Sequence, residues 1–395
     1  MLKHRSQSLQ DLSLLSFDFS GNIQFHHSEE TRRCTEYSKL TSKQENYSLL
    51  RKSFQITTHN NQAQTRPARL KQAKINNFKA PMLMHTWRRK SICAKKPIAL
   101  TIGNFDGVHL GHQAMLNRLR NVADQRDLPA CVMTFEPHPR EFFAPDQAPA
   151  RLTSLRRKLE LLAQSRIDCV HVCRFNYDFA RISPEEFIQR ILNKELSVRW
   201  LLVGDDFRFG ARRSGDLAML QALSTENGFE VEIMPSVIID EHRVSSTATR
   251  RALAHGNFDA VKQLLGKPYS ITGRVVDGDK LGKQIGFPTA NIPLRHHCLP
   301  LSGIFVVAVH GASASSPTAV LPGVASLGVR PTVHDNGQPI LEVHLFDFNQ
   351  DIYGRHLQVD FLHKLRNEEK YADLDTLVEQ IKKDVAQAKD FFLMT

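Results

Sequence analysis

The chain has 395 residues, 41% of them hydrophobic and 24% charged, material for two to three ordinary globular domains. Its apolar runs are short, the six residues Ile304 to Val309 being typical, which excludes a membrane-spanning helix. The formal net charge of +11 sits at one end: residues 1–96 hold 18 Lys and Arg against 6 acids, and the rest hold 34 against 35. The body of the chain therefore makes no electrostatic case for a nucleic-acid partner.

Residues 1–96 are rich in Ser, Gln, Asn and Thr, and from Arg51 to Lys96 they contain no acid. Such composition buries too little apolar surface to offset the entropy of folding, and it lacks the apolar core of a secretory signal. It reads as a disordered basic extension, or as translation upstream of a start near Met82 or Met84. From Pro97 strands and helices alternate. A strand at 97–102 leads into a Gly-rich loop and a helix with Leu110, Met115, Leu119 and Val122 at helical spacing. A second strand follows at 129–135. Ser183-Pro-Glu-Glu186 has the form of a capping box opening a helix to about residue 196. Then come a strand at 200–204, a helix at 216–226 and a strand at 229–234. This order predicts an α/β fold: a parallel, Rossmann-like sheet whose loops 103–112 and 204–210 lie beyond the carboxyl ends of strands.

Two short helices, 245–255 and 257–265, end at Gly256 and Gly266. After Gly266 the texture changes to short segments at 271–276, 303–310, 319–329, 340–347 and 355–363, the pattern of a small antiparallel β-barrel. A C-terminal helix carries Leu374, Leu377, Val378, Ile381 and Val385 on one stripe, predicted as core. The expected division is an extension at 1–96, one domain at 97–265 and a second at 266–395. The six cysteines read as structural thiols in a reducing, cytoplasmic compartment. Cys169-Val-His-Val-Cys173 is only half of a metal site.

The first chemical motif is Gly103-Asn-Phe-Asp-Gly-Val-His-Leu-Gly-His112, between a strand and a helix. Glycines let backbone N–H groups approach phosphate oxygens, and the helix start adds a positive dipole end. His109 and His112, three apart, share a face from which imidazoles can stabilise a charged leaving group. The segment is not a P-loop. A histidine pair by itself is more often structural. The whole string, however, resembles the H-x-G-H signature of nucleotidylyltransferases, in the Phe-Asp-Gly-Val-His form of bacterial FAD synthetases. The resemblance implies ATP contacts from Gly103, Phe105, Asp106, Gly107 and Gly111, with His109 and His112 catalytic. Val203-Gly-Asp-Asp-Phe-Arg-Phe-Gly210 is similar to that family's cleft loop, which adds Asp206 and Phe207. Val244-Ser-Ser-Thr-Ala-Thr-Arg250 is similar to its Ser-Ser-Thr-x-Ile-Arg motif, adding Ser246, Thr247 and Arg250 as a phosphate clamp. Thr249 replaces the usual aliphatic residue. Phe135-Glu-Pro-His-Pro139 is either a plain turn or, by the same resemblance, a flavin pocket with Pro137 and His138.

The second motif is the Gly-rich string 273–292, ending Gly286-Phe-Pro-Thr-Ala-Asn-Ile292. Pro288 keeps the chain extended, so Thr289 and Asn291 point to one face; their oxygens are hard ligands suited to Mg²⁺. Taken alone, Pro-Thr-Ala-Asn is more often a turn with polar residues capping a strand. The string resembles the riboflavin kinase signature, and Gly303-Ile-Phe, Gly323–Thr332 and Leu341-Glu-Val-His-Leu-Phe-Asp347 are similar to later segments of that family. The resemblance implies ATP binding by Gly282, Lys283, Gly286, Pro288, Thr289 and Asn291, with Thr289 and Asn291 also on the metal. It makes Glu342 the catalytic base and, through Leu365-Arg-Asn-Glu-Glu-Lys370, places Arg366 beside the flavin.

Over residues 97 to about 392 the chain thus resembles the bacterial bifunctional riboflavin kinase and FMN adenylyltransferase family. That implies phosphorylation of riboflavin to FMN, then adenylylation of FMN to FAD, with ATP as substrate twice and Mg²⁺ as cofactor. The expected partners are these small molecules, with no nucleic acid and no membrane. Two rivals stand beside this reading: a nucleotidylyltransferase of another phosphate with a degenerate second domain, and a nucleic-acid-binding protein using the basic extension.

Overall fold

The computed structural model describes residues 83–86 and 96–394, apart from 279–280, 295–297, 314–315, 317 and 330–338. Residues 1–82 and 87–95, where most of the expected basic extension falls, lie outside the described residues. Leu83–Thr86 (β1), counted by sequence with that extension, is a strand on the edge of the first sheet, parallel to β4 (Cys169–Arg174).

The first sheet is all parallel. It contains β2 (Ile98–Ile102), β3 (Ala130–Glu136), β5 (Val198–Gly204) and β6 (Glu230–Met234), in the order β1-β4-β3-β2-β5-β6. Every residue of β2 is buried, because helices cover both faces of a sheet of this kind. Among them are α1 (Leu110–Gln125), α2 (Leu155–Gln164) and α3 (Leu217–Glu226). The chain moves outward from β2 through β3 to β4, then returns to β5 on the other side of β2. That reversal opens a crevice beyond the carboxyl ends of β2 and β5, where the predicted loops lie. A hairpin of β7 (Ile238–Ile239) and β8 (His242–Arg243) leads into α4 (Ser246–Ala254) and α5 (Phe258–Leu265).

Ser183 forms half of the expected capping box, its hydroxyl accepting from Glu186 N at 3.1 Å. One turn later, residues 187–195 widen into a π-helix that buries Phe187, Ile188, Ile191 and Leu192. No breaker residue announces that change.

The second sheet is antiparallel, in the order β10-β13-β12-β11-β14-β9. Its strands are β9 (Tyr269–Arg274), β10 (Ala290–Pro293), β11 (Gly303–His310), β12 (Val320–Val329), β13 (Pro339–Leu345) and β14 (His356–Arg366). The ends meet where Val276 N donates to Asn291 O at 2.9 Å, so the sheet is nearly closed into a barrel. Leu341, Val343 and Leu345 of β13 point inward, and Ile340, Glu342 and His344 alternate outward. The barrel core runs without a break into Leu253 of α4, into Phe258, Val261 and Leu265 of α5, and into Leu152.

The terminal helix α6 (Leu374–Met394) corrects one expectation. Its apolar stripe is core only in part: Leu374 is 48% exposed, Leu377, Val378, Ile381 and Val385 are half-buried, and the residues it buries fully are Asp384 and Ala388. The barrel interior is already filled from within, so α6 lies on its outer wall. Ala388, without a bulky side chain, packs there with Val306, Val324 and Phe346. Leu377 and Ile381 line a cleft instead.

Candidate active sites

The first cleft, of about 1090 Å³, opens at the β2/β5 crevice. His109 caps α1, its Nδ1 accepting from His112 N at 3.3 Å, and the two rings stack with centroids 3.7 Å apart. Gly111 permits this, since a Cβ there would lie 3.2 Å from the His109 ring. Burial lowers the His109 pKa to about 4 against a weaker opposing pull from Asp106. Burial, reinforced by His109 and Lys158, holds His112 well below the ordinary histidine value. His138 caps the turn at Pro139–Phe143, its Nδ1 accepting from Arg140 N at 3.1 Å, and burial lowers it too. All three imidazoles are neutral at pH 7. His109 and His138 accept at Nδ1, so each carries its proton on Nε2. They are hydrogen-bond donors and not acids.

These shifts have a stability consequence. Unfolded histidine titrates near 6.5, so as pH falls the unfolded chain takes up protons before the folded one. Stability is complete above pH 6.5 and is expected to decline from there toward about 4. Thermal melts across that range should show a falling Tm, and the fall should be shallower in His109→Gln.

Asp106 is 4% exposed. It accepts from Leu152 N at 3.0 Å, Thr153 N at 2.9 Å, Thr153 Oγ1 at 3.0 Å and Arg250 Nη2 at 2.5 Å. Arg250 Nε donates to Ala150 O, Ser246 Oγ to Asp106 O at 2.9 Å, and Gly107 N to Thr153 Oγ1 at 3.1 Å. Gly107 has φ +83°, and a Cβ there would lie 2.8 Å from Leu152. Asp106, Gly107, Ser246 and Arg250 thus bind one another and the 150–153 segment, stapling the Gly-rich loop to α4. Asp106, Ser246, Thr247 and Arg250 nevertheless all line the cleft, and the bonds of Arg250 use its Nε and Nη2. Asp106→Asn, which leaves Arg250 half-buried without its carboxylate, is expected to cost about 3–5 kcal/mol of stability. Denaturant titration checks it, and an unchanged midpoint would refute the staple. The Thr249 hydroxyl, in place of an aliphatic group, is buried and donates to Ser245 O at 3.0 Å.

Gly103, Phe105, Gly111, Asp206, Phe207 and Thr247 line the cleft, while Gly107 and Pro137 do not. Asp206 accepts from Arg243 Nη2 at 2.7 Å. Phe135 and Phe209 of the quoted motifs belong to a wall of rings completed by Phe175, Phe179 and Phe187; those three and Arg243 escaped the sequence reading. Neighbouring rings of that wall lie 5.6–6.0 Å apart where Phe207 meets Phe209 and Phe135 meets Phe175. A surplus of Phe over Tyr and Trp, 23 against 6 and 2, was its available signal.

The second cleft, of about 270 Å³, lies on the barrel wall beneath α6. Asn291 pairs with Glu342 in register across β10 and β13, and Glu342 pairs with Ser326 across β13 and β12. The three line one row of the cleft with Thr289. Asn291 Oδ1 is buried without a partner among the described residues, an acceptor aimed where a cation or donor fits. Gly282 admits the close approach of Phe287 O, 2.4 Å from a Cβ built there, and Gly286 needs its φ of +86°. Gly282 lines the cleft; Lys283, Gly286 and Pro288 do not. Arg366, expected on the flavin, is held by Asp384 at 2.7 and 2.9 Å, so it forms the cleft wall. His344 Nδ1 donates to Pro288 O at 2.9 Å, tying the Thr289 segment to β13. Ser326, His344 and Glu368 lie inside the strings that resemble the kinase family, with no signal of their own to mark them, and Asp384 lies outside every motif.

A family model described as FAD synthetase matches residues 92–248, and one described as riboflavin kinase matches residues 265–392. Curated proteins named bifunctional riboflavin kinase/FMN adenylyltransferase are 50% identical to this chain. That of Haemophilus influenzae aligns over 74% of this chain and 94% of its own length, and that of Escherichia coli K12 over 75% and 93%. The chain belongs to the bifunctional riboflavin kinase/FMN adenylyltransferase family. It is an enzyme of FAD synthesis that phosphorylates riboflavin and adenylylates FMN. A crystal structure described as a macrolide-efflux protein from Streptococcus pneumoniae has a TM-score of 0.65 and 29% identity, covering 77% of this chain and 97% of its own. Among the described residues no helix of this family member is long and apolar enough to cross a membrane.

Cys169 and His171 gather with Cys131, and not with Cys173, their ligand atoms within 4.8 Å of one another. All are buried against the apolar layer under the π-helix, in keeping with structural thiols.

Proposed function

We propose that the first cleft carries the adenylyl transfer and the second the phosphoryl transfer, with the following roles. In the second, Glu342 takes the proton of the riboflavin 5′-hydroxyl as its oxygen attacks the γ-phosphorus of ATP and ADP leaves. Thr289 Oγ1 and Asn291 Oδ1 would hold Mg²⁺, which neutralises charge on the ATP phosphates. The observation that carries this reading is the row Asn291–Glu342–Ser326, with the Asn291 oxygen unpaired. In the first, an FMN phosphate oxygen attacks the α-phosphorus of a second ATP and pyrophosphate leaves. The Nε2–H groups of His109 and His112 donate to the growing charge on pyrophosphate. Gly103, Phe105, Gly111 and Thr247 border the nucleotide, Asp206 and Arg243 close one side, and the phenylalanine wall with His138 receives the isoalloxazine ring.

Chromatography of flavins after incubation with riboflavin, ATP and Mg²⁺ tests the division. FMN followed by FAD is expected, and chelation of the metal should stop FMN formation. Unchanged FMN formation without divalent metal would overturn the metal assignment. Residence in the cytoplasm fits the paired but unbridged thiols of Cys131 and Cys169.

A further inference from the structure

Adenylyl transfer brings two anions together: the phosphates of ATP and the FMN phosphate, which carries a charge of about −1.5 to −2 at neutral pH. The side chains given roles so far in the first cleft offer little free positive charge to meet them. Its three histidines are neutral at pH 7. Of the arginines that line it, Arg250 is paired with Asp106, Arg243 with Asp206 at 2.7 Å and Arg208 with Asp216 at 3.6 Å. Arg140, Arg212 and Arg213 also line it, and among the described residues their guanidiniums have no acceptor.

Arg212 and Arg213 stand at the tip of a loop whose base is locked. Phe209 and Gly215 exchange both backbone hydrogen bonds, at 2.9 and 3.1 Å, and a Cβ on Gly215 would lie 2.8 Å from the Phe209 ring. Ala211 N donates to Ile182 O at 2.7 Å, and Gly210, at φ +70°, sits so close to Pro184 that a Cβ would lie 2.7 Å from it. Across the tip, Arg213 N donates to Gly210 O at 3.0 Å and Ser214 Oγ to Ala211 O at 2.8 Å. Within that frame both arginines take the left-handed backbone, at φ +54° and +59°. Residues with a Cβ adopt it at a cost, which persists where the surroundings over-determine the chain and which gathers where side chains meet ligands. The loop springs from Phe209, a ring of the wall that receives the flavin, so its two guanidiniums belong to the flavin side of the cleft. We propose that Arg212 and Arg213 bind the phosphate of FMN: they donate to its oxygens, offset its charge as it nears ATP, and select the phosphorylated flavin over riboflavin in this cleft. A planar guanidinium fork suits a phosphate, and two adjacent forks suit a dianion. The inference rests on the adenylyl transfer given above to this cleft.

The test uses the full chain with Arg212→Asn and Arg213→Asn combined, since asparagine is uncharged and tolerates the left-handed backbone. FMN formation from riboflavin reports on folding and should stay at the wild-type level. In FAD formation, KM for FMN should rise about 10- to 100-fold, the scale for losing charge-assisted hydrogen bonds, with KM for ATP little changed. In the wild type KM for FMN should climb with ionic strength, and the double variant should lose most of that slope. Arg212→Lys with Arg213→Lys, which keeps the charge but not the fork, should recover part of the affinity. An unchanged KM for FMN in the asparagine variant, or a rise in KM for ATP in its place, overturns the proposal. His112→Ala, assayed in parallel, separates that failure from one of the cleft itself. If His112→Ala kept its FAD formation, the adenylyl transfer would not belong to this cleft. If it lost FAD formation while the asparagine variant kept its KM for FMN, the arginine assignment alone would fall.

Discussion

Replacing His112 by Ala is expected to lower FAD formation from FMN about 100- to 1000-fold while sparing FMN formation from riboflavin, the loss typical of one preorganised donor to a developing oxyanion. The neutral state of the ring is what gives the prediction its size. Burial holds His112 well below the ordinary histidine value, so it enters the reaction as a fixed dipole and not as a proton source. Its stacking on His109 at 3.7 Å means the two imidazoles act as a unit. His109→Ala should therefore cost nearly as much, and the double variant little more than either alone. Flavin chromatography with riboflavin and with FMN as alternative starting materials separates the outcomes. Loss of both activities in a folded His112→Ala protein would contradict the two-cleft assignment.

Glu342→Gln should have the complementary effect: phosphorylation of riboflavin falls about 100- to 10,000-fold, the range for loss of a general base, and added FMN is still converted to FAD. The substitution is close in shape, and Glu342 points away from the barrel core that Leu341 and Val343 fill. Folding should be unaffected. A kinase rate retained within about threefold would remove Glu342 as the base and turn attention to Glu368, whose carboxyl lies 3.4 Å from Ser326 Oγ and is raised by burial and by Glu342.

The alternation of strand and helix from residue 97 and the change of texture after Gly266 made the two sheets legible, because each period reflects a face that must be buried. The Gly-rich loops were legible for a related reason: positive φ at Gly107 and Gly286, and the close approach of Phe287 O at Gly282, leave glycine as the residue that fits. What the residues do within the loops was less legible. Asp106 and Arg250 sit in a motif associated with phosphate, yet their charges are spent on each other and on the 150–153 segment, far away in sequence. Arg366 is likewise claimed by Asp384, from a helix whose apolar stripe suggested core. The phenylalanine wall is assembled from four separate stretches, so no local pattern marks it.

The core that passes from the barrel into α5 bears on how this enzyme can be divided. The two family models part cleanly, one on each sheet, but the apolar side chains do not respect the same line. Phe258, Val261 and Leu265 precede the barrel strands in sequence and belong to their interior. A kinase fragment begun at residue 266 would start with an open end to its core, whereas one begun before α5 would carry its own plug. The seam between activities and the seam between folding units lie on opposite sides of one short helix.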